Sequence, residues 1–271
     1  MWLDGKTVII TGASGGLGFA VAKLLIEKHG CTVIGVARNR EKAENAAAAL
    51  GNGRNSFSYY LFDVTEREGW ATFARQLEEK RIVPDVLINN AGIMPAFARA
   101  ESYSDEEIDD IVRTNFVSYV TAIRTLLPLL EGSPSPAVVN ICSAGGLCPV
   151  AGESMYCATK YAVRGFTDTF RVEHRRFYVA GIYPGFIRTD IMRRQTVDVS
   201  QNSLIQSMMM PVDRAAKRIV RAVCRRKKTR VIGVDGHLLS FFGRLAPVLT
   251  ASAMERVLRL SGQEIFAFLG E

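Results

Sequence analysis

The sequence lacks the patterns that several classes of protein require. Its five cysteines include no C-x-x-C pair, and its three histidines are scattered, so we expect no metal site. This use of cysteine favours a reducing compartment. No stretch is predicted to span a membrane. A predicted strand that starts by residue 6 leaves no room for a signal peptide, so a cytoplasmic location is the expectation.

The chain is basic, but its charges do not follow the pattern of a nucleic-acid-binding protein. It carries 34 Lys and Arg against 27 Asp and Glu, a net charge of +7. Much of the excess lies in RRKKTR, residues 225–230, at the predicted end of a helix, where the helix dipole favours cations. No RNA- or DNA-binding module accompanies this run, so we expect no nucleic-acid partner. A weak contact with an anionic membrane surface stays open.

Proline is scarce as well. Only 9 of the 271 residues are Pro and 48% are hydrophobic, which is enough for one core and leaves no disordered linker. Strand-like and helix-like segments alternate, which predicts a single doubly wound α/β Rossmann domain with a parallel sheet of about seven strands and helices on both faces. Predicted strands are 7–10, 32–37, 56–62, 84–89, 137–142, 178–183 and 229–234. Predicted helices are 17–28, 40–50, 66–80, 105–131, 154–175 and 213–226. The domain should occupy residues 1–236, and 237–271 should be an apolar, amphipathic extension packed on the same domain or on a partner.

A glycine-rich turn follows the first predicted strand. TGASGGLG, residues 11–18, lies between the β-branched run KTVII and an apolar helix. In that context Gly12 permits a tight turn, Gly16 lets the backbone approach a pyrophosphate, and Gly18 lets the helix pack closely on the strand. The free N–H groups at the helix N-terminus favour an anion. The sequence therefore predicts a nucleotide-phosphate site here.

Ser143, Tyr156 and Lys160 form a pattern suited to moving a proton at an alcohol oxygen. Tyr156 and Lys160 stand four residues apart, so they share one face of a helix. A phenol titrates near pH ~10, and we expect the nearby ammonium group to lower that pKa. Ser143 can then hold the substrate oxygen while Tyr156 exchanges the proton.

Further motifs extend this pattern in both directions along the chain. In order, the chain contains the glycine turn, NNAG at 89–92, Asn115 in RTNF, Ser143, Y-x-x-x-K at 156–160 and YPGFIRT at 183–189. Together they resemble the short-chain dehydrogenase/reductase family in its ordinary, non-extended form. The resemblance implies hydride transfer between a nicotinamide and a ketone or secondary alcohol. It also implies a catalytic group of Asn115, Ser143, Tyr156 and Lys160, in which Asn115 interrupts a helix and seats a water that leads to Lys160.

The same resemblance implies a set of cofactor contacts. Asp63 and Val64 match the residues beside the adenine, residues 90–92 lie along the ribose, and the loop 184–189 fixes the nicotinamide. The full expected set is Gly12, Ser14, Gly16, Leu17, Gly18, Arg38, Asp63, Val64, Asn90, Ala91, Gly92, Tyr156, Lys160, Pro184, Gly185, Ile187 and Thr189.

The end of the second predicted strand bears on the choice of coenzyme. A site that selects NAD usually offers a carboxylate there to the ribose hydroxyls, whereas this chain has Ala37 followed by Arg38. A guanidinium group binds a 2′-phosphate through two parallel hydrogen bonds. We therefore expect NADP(H) to be favoured over NAD(H), even though Gly15 stands where the family has a further cation.

The predicted substrate pocket is apolar. Residues 190–211, where the family places a variable lid, contain Met192, Leu204, Ile205 and Met208 to Met210. Methionines suit an adaptable apolar surface, although these side chains could also pack only against protein. We expect a small hydrophobic carbonyl or alcohol of steroid, fatty-acyl or terpenoid type.

Two questions stay open from the sequence. The tail 237–271 could cap the pocket, form a contact in a homodimer or homotetramer, or lie on a membrane surface. The chain could also be a catalytically silent nucleotide-binding protein, or a membrane-peripheral protein, on the same fold. The intact set of Ser143, Tyr156 and Lys160 favours an enzyme, because a pure binder has no use for it.

Overall fold

The computed structural model describes residues 1–51, 56–189, 191 and 209–260. Its strands are β1 Thr7–Thr11, β2 Thr32–Ala37, β3 Phe57–Leu61, β4 Val86–Asn89, β5 Ala137–Ile141, β6 Tyr178–Pro184, β7 Ile187–Arg188, β8 Met210–Pro211 and β9 Thr229–Ile232. Its α-helices are α1 Gly16–His29, α2 Arg40–Leu50, α3 Arg67–Glu79, α4 Asp105–Val112, α5 Ser118–Glu131, α6 Ser154–Glu173, α7 Val212–Cys224, α8 Val234–Leu245 and α9 Pro247–Leu260.

Seven of these strands form one parallel sheet in the order β3-β2-β1-β4-β5-β6-β9. The chain runs outward from β1 through β2 to β3 and then returns to β4 on the other side of β1. This reversal opens a crevice beyond the carboxyl ends of β1 and β4, where open α/β sheets bind their ligands. The predicted doubly wound Rossmann architecture is confirmed.

Both faces of the sheet are covered, which explains why its strands are apolar throughout. Successive side chains of β1 point to opposite faces: Val8 and Ile10 lie in the cluster that contains α1 and α7, while Ile9 lies in the cluster that contains α3, α5 and α6. Ile9 and Ile10 are both fully buried. Burial of each such side chain contributes roughly 1.5–3 kcal/mol, so the core fixes the strand ends that carry the site.

The predicted helix 105–131 is helical throughout these bounds, but it is not one regular α-helix. A capping box between Ser104 and Glu107 starts α4, but α4 ends at Val112 and a π turn, Arg113–Val117, precedes α5. A π turn accommodates an extra residue in the helix and is frequent at functional sites. Asn115 lies inside this turn and is fully buried.

The last sheet strand is shorter than predicted. It ends at Ile232 rather than near residue 234, because Gly233 adopts a positive φ of 104° and α8 begins at Val234. The helices α8 and α9 expose a run of large apolar side chains, and α9 buries none of its own. The exposed set is Val234, Leu238, Phe241, Phe242, Leu245, Val248, Leu249, Val257 and Leu260. None of the helices in the described ranges has the length and apolar character needed to cross a membrane.

Candidate active site

Most of the predicted site residues line one cavity of about 440 Å³ at the carboxyl edge of the sheet. They follow the ends of β1, β2, β4, β5 and β6, as expected for a Rossmann crevice. The predicted residues on its wall are Gly12, Ser14, Gly16, Leu17, Arg38, Asn90, Ala91, Gly92, Ser143, Tyr156, Lys160, Pro184, Gly185, Ile187 and Thr189. The remaining four, Gly18, Asp63, Val64 and Asn115, lie behind or beside this wall rather than on it.

The glycine turn is built tightly against the end of β4. Gly12 has a φ of 68°, in the left-handed region that favours glycine, and a Cβ atom on Gly18 would collide with the Gly12 carbonyl oxygen. The Thr11 hydroxyl accepts hydrogen bonds from the backbone N–H groups of Asn90 and Ala91, each at 2.9 Å. Asn90 Nδ2 donates in turn to the Thr11 carbonyl at 2.9 Å. Thr11, which the sequence did not single out, therefore locks the two strand ends at the crevice together.

Asn115 connects the loop after β4 to α6. Its Oδ1 accepts from the Ile93 N–H at 2.8 Å, and its Nδ2 donates to the Ile93 carbonyl at 2.9 Å. The same Nδ2 lies 3.3 Å from the hydroxyl of Thr159, the neighbour of Lys160 on α6. The π turn aims this side chain inward, so Asn115 positions the loop and α6 relative to each other. Its predicted link to a catalytic water stays a prediction.

Ser143, Tyr156 and Lys160 converge on the wall of the cavity. The Lys160 Nζ lies 5.5 Å from the centroid of the Tyr156 ring and 3.4 Å from the Ile141 carbonyl oxygen. Ser143 follows β5, and its Oγ accepts from the Gly145 N–H at 3.1 Å. The Ser143 hydroxyl also lies close enough to Tyr156 to lower the pKa of its phenol. Two hydroxyl groups and one ammonium group therefore lie near one another on the same part of the cavity wall.

The expected lowering of the Tyr156 pKa is not observed. Burial raises the pKa of this phenol, the Glu153 carboxyl raises it further, and the Ser143 hydroxyl opposes both effects only in part. Lys160 is buried too, and this lowers the pKa of its ammonium group to about 8. Burial is the largest cause of both shifts, and it favours the neutral form of each group.

Two cations stand where an NAD-selective site has a carboxylate. Arg38 is 68% exposed, and its Nη1 lies 3.5 Å from Asp63 Oδ2. Burial alone would raise the Asp63 pKa, but hydrogen bonds from Thr65 and the Arg38 charge lower it. Lys42, in the first turn of α2, lines the same cavity and was not predicted. The sequence did not distinguish it from Arg40, which lies in the same first turn of α2 and is not on the described cavity wall.

Val64 packs against the protein core and does not lie on the cavity wall. It packs against the core cluster below the sheet, and its carbonyl oxygen accepts a hydrogen bond from Trp70 Nε1 at 2.8 Å. It therefore anchors the segment that carries Asp63.

A second, smaller cavity of about 60 Å³ adjoins the two hydroxyls of Ser143 and Tyr156. Most of its other side chains are apolar, as expected for a substrate pocket: Met94, Val150, Phe186, Ile187, Ile191 and Leu239. Met209 is buried beside Met94. Glu153 is the one carboxyl group on the described part of this wall, and the sequence did not predict it. Met192, Leu204, Ile205 and Met208 lie outside the described residues.

The C-terminal helix α8 takes part in building this pocket. Asp235, in its first turn, accepts a hydrogen bond from the Phe186 N–H at 2.6 Å and so holds the loop after β6. Leu239, one turn further along, lies on the pocket wall. Gly243 lies so close to Cys148 that a Cβ atom there would be 2.7 Å from the Cys148 Cβ. Pocket capping, one of the three roles considered for the tail, is thus consistent with the position of α8.

Comparison with known proteins agrees with this geometry. The model of the family described as short chain dehydrogenase matches residues 6–200. The chain belongs to the short-chain dehydrogenase family. It is accordingly an oxidoreductase of that family.

Its relatives in this family differ in their substrates. The chain is 32% identical over 188 residues to an NADPH-dependent pterin aldehyde reductase from Arabidopsis thaliana, covering 69% of this chain and 77% of the relative. It is 29% identical over 198 residues to a 3beta-hydroxysteroid dehydrogenase from Mediterraneibacter gnavus, covering 72% and 71%. A short-chain dehydrogenase from Burkholderia cenocepacia, solved in complex with NADP, has the same fold with a TM-score of 0.78 at 20% identity, over 94% of this chain and 99% of that one.

Proposed function

We propose that the protein is an NADP(H)-dependent carbonyl reductase and alcohol dehydrogenase that acts on a small, mainly hydrophobic ketone or secondary alcohol. One observation carries this proposal. A single cavity joins the glycine turn and Arg38 at one end to Ser143, Tyr156 and Lys160 at the other. A nucleotide site and a proton-transfer site therefore share one space.

The residues of this cavity fit a nicotinamide dinucleotide. The N-terminus of α1 offers backbone N–H groups to a pyrophosphate. Gly18 packs closely on the turn and has no side chain that would block the pyrophosphate. Arg38 and Lys42 would hold a 2′-phosphate, and Pro184, Ile187 and Thr189 would border the nicotinamide. When bound, the coenzyme supplies the hydride acceptor or donor.

The chain itself supplies the proton. In the reducing direction, Ser143 and Tyr156 donate hydrogen bonds that polarise the substrate carbonyl, and Tyr156 then gives its proton to the oxygen as the carbon receives the hydride. The raised pKa of Tyr156 keeps it protonated, as a general acid must be. The Lys160 ammonium group stabilises the phenolate that remains. In oxidation, that phenolate acts as the base.

The preference for NADP(H) is supported by charge and by similarity. The described edge of the cavity near β2 presents Arg38 and Lys42, and Arg38 already attracts the one nearby carboxylate, Asp63. A phosphate with two negative charges competes well for such a guanidinium group. The Arabidopsis relative is named as NADPH-dependent.

The substrate is inferred from the pocket, since relatives named for a pterin aldehyde and for a 3beta-hydroxysteroid show that similarity alone does not determine it. The mainly apolar wall between Met94 and Leu239 favours a hydrophobic ring or chain next to the reacting carbon.

The test is turnover of a panel of ketones and aldehydes by the full chain, followed by NADPH absorbance, with NADH in parallel. We expect activity with NADPH on part of this panel. Tyr156→Phe should reduce turnover by about 10²–10⁴-fold and leave coenzyme binding nearly intact. Tyr161→Phe is the matched control, because Tyr161 lies on the same helix but is 37% exposed and does not line the cavity. Coenzyme binding without turnover of any compound would instead favour the silent nucleotide-binding alternative.

A further inference from the structure

Glu153 is a buried carboxyl group that the described residues leave incompletely hydrogen-bonded. It immediately precedes α6, three residues before Tyr156, and only 5% of its surface is exposed. Its side chain lies on the wall of the small pocket next to Ser143 and Tyr156. Its Oε1 atom is buried and has no hydrogen-bond partner. Buried polar atoms in native proteins are almost always paired, so each exception calls for an explanation.

Capping of α6 does not explain why a glutamate occupies position 153. Glu153 occupies the capping position, yet its side chain makes no capping hydrogen bond. The bonds it does make there use its backbone: its N–H donates to the Val150 carbonyl, and its carbonyl accepts from the Cys157 N–H. Any residue could make these two bonds. The carboxyl group is therefore not needed to begin the helix.

The described neighbours of Glu153 also provide neither a positive charge nor a free hydrogen-bond donor for its carboxyl group. The described pocket wall contains no Lys or Arg. The nearby Tyr103 hydroxyl is already engaged, at 3.2 Å from the Ala96 carbonyl and 2.9 Å from the Gly152 carbonyl. Burial raises the pKa of Glu153 to about 8. Among the described residues no group donates a hydrogen bond to Oε1, so this atom is available to a bound molecule.

We propose that Glu153 determines substrate specificity by accepting a hydrogen bond from a hydroxyl or amino group of the substrate, while Ser143 and Tyr156 hold the reacting oxygen. This inference rests on the proposed function of the site. Positions 153 and 156 are one helical turn apart, with roughly 5–6 Å between Cβ atoms, so the donor lies a few bonds from the reacting carbon. The substrate is then a ketone or secondary alcohol with an apolar frame and one donor group.

The test compares three cyclohexanones that carry a methyl, a hydroxyl or an amino group opposite the carbonyl. The wild type should have a higher kcat/KM for the hydroxyl compound, the amino compound or both than for the methyl compound. Glu153→Leu should lower that ratio by about 10–100-fold, the effect expected for a hydrogen bond to a charged or polar buried partner. Glu153→Gln separates the two donors: it should keep a preference for the hydroxyl compound and lose one for the ammonium form of the amine. Glu173→Leu, at the exposed far end of α6, is the matched control and should leave the ratio unchanged.

Two further measurements keep the result independent of turnover. The same three substituents on cyclohexanol are titrated calorimetrically into the wild type and Glu153→Leu, each loaded with NADPH, which cannot accept a hydride from an alcohol, and thermal unfolding of both proteins is recorded. We expect Glu153→Leu to bind the donor-bearing alcohol more weakly relative to the methyl one and to unfold at a higher temperature, because the unpaired buried carboxyl group is gone. Equal ratios in both proteins, or a lower unfolding temperature with an equal loss for all three compounds, would overturn the inference and assign Glu153 a structural role. If neither protein turns over any compound, the proposed function fails, while the calorimetric ratio still decides the role of Glu153.

Discussion

Two carboxyl groups at opposite edges of the same sheet, the half-buried Asp85 and the buried Glu153, differ in their hydrogen bonding and in the direction of their pKa shifts. Asp85 lies at the amino edge, just before β4, and accepts hydrogen bonds from Lys6 Nζ at 2.9 Å, from the Thr7 N–H at 3.0 Å and from the Ser133 hydroxyl at 2.6 Å. Glu153 lies at the carboxyl edge and leaves one oxygen without a partner. Burial acts on both groups to raise the pKa. For Asp85 the three donors outweigh burial and the pKa falls, whereas for Glu153 it rises to about 8.

The difference separates a carboxyl group whose hydrogen bonds connect parts of the fold from one that the described residues leave with an unpaired oxygen. The Asp85 network joins β1, β4 and the turn before β5, so its polar atoms are satisfied within the chain. At the other edge, Tyr156, Lys160 and Glu153 are all buried with shifted pKa values, and all three line a cavity. Such clusters of perturbed groups mark functional sites more often than structural ones. We therefore expect removal of a charged group to change mainly turnover at the carboxyl edge and mainly the free energy of unfolding at the amino edge.

The largest expected effect is on catalysis at the carboxyl edge. Lys160→Met should reduce turnover by about 10²–10⁴-fold, because the phenolate of Tyr156 loses its stabilising charge. The same variant should be more stable than the wild type at neutral pH. The folded-state pKa of Lys160, about 8, lies below the ordinary value near ~10.4, so the buried ammonium destabilises the fold below about pH 8, and this penalty fades as the pH rises towards ~10.4. Measured rates test the loss of turnover, and measured unfolding temperatures test the gain in stability. A Lys160→Met variant that lost stability as well as activity would contradict the comparison of the two edges.

Much of this edge could be predicted from the sequence, because each motif directly follows a strand. The run KTVII predicts β1, so the glycine turn after it must lie at the carboxyl edge. The same holds for Ser143 after β5 and for the loop that begins at Pro184. The spacing of Tyr156 and Lys160 places both on one face of α6. Local patterns of this kind determine which residues meet.

The rest depends on contacts that no local pattern shows. Hydrophobic periodicity does not reveal the π turn, and only the resemblance to the family indicated an interruption of the helix at Asn115. A negative charge at the start of a helix is ordinary because the helix dipole favours it, and only tertiary burial makes Glu153 unusual. The direction of the Tyr156 pKa shift depends on desolvation, which the separation of four residues from Lys160 does not reveal. Asp235 binds the Phe186 N–H across 49 positions of sequence.

The next largest effect belongs to the amino edge. Asp85→Ala should lower the free energy of unfolding by about 2–3 kcal/mol, because Lys6, Thr7 and Ser133 lose a charged acceptor. Turnover per folded molecule should be unchanged, since Asp85 lies at the edge away from the cavity. Urea unfolding measures the first quantity and steady-state kinetics the second. Asp109→Ala is the control, because that carboxylate is 72% exposed and pairs with Arg113 only at 3.8 Å.

The coenzyme preference should show a somewhat smaller change. Arg38→Ala combined with Ala37→Asp should weaken NADPH binding by about 1.5–3 kcal/mol and invert the preference towards NADH, since a charge-assisted contact is replaced by a repelling carboxylate. Lys42→Ala measures how much the second cation contributes to NADPH binding. Arg40→Ala is the matched control, because Arg40 is 72% exposed, pairs with Glu44 at 3.7 Å and is not on the described cavity wall. Coenzyme affinities that stay the same in the double variant would place the 2′-phosphate elsewhere.

The smallest effect, and the sharpest test of the comparison, is the response of stability to pH. The pKa of Asp85 is lowered in the folded state, so its contribution is present above the unfolded value near ~3.9 and is lost as the pH falls through the lower folded value. One proton changes the free energy of unfolding by at most about 1.4 kcal/mol per pH unit, so the advantage of the wild type over Asp85→Asn should shrink by on the order of 1 kcal/mol below about pH 4.

Glu153→Gln should give the opposite sign over a different range. The pKa of Glu153 is raised to about 8 in the folded state, so the wild type should lose stability relative to this variant as the pH rises from the unfolded value near ~4.3 towards 8. Urea unfolding of the wild type and both amide variants across this range measures both slopes. Because each substitution keeps the size of the side chain and removes its titration, the dependence of the difference on pH reports ionisation rather than packing. Slopes of the same sign would show that the two carboxyl groups are held in the same way, and the distinction between the two edges of the sheet would then fail.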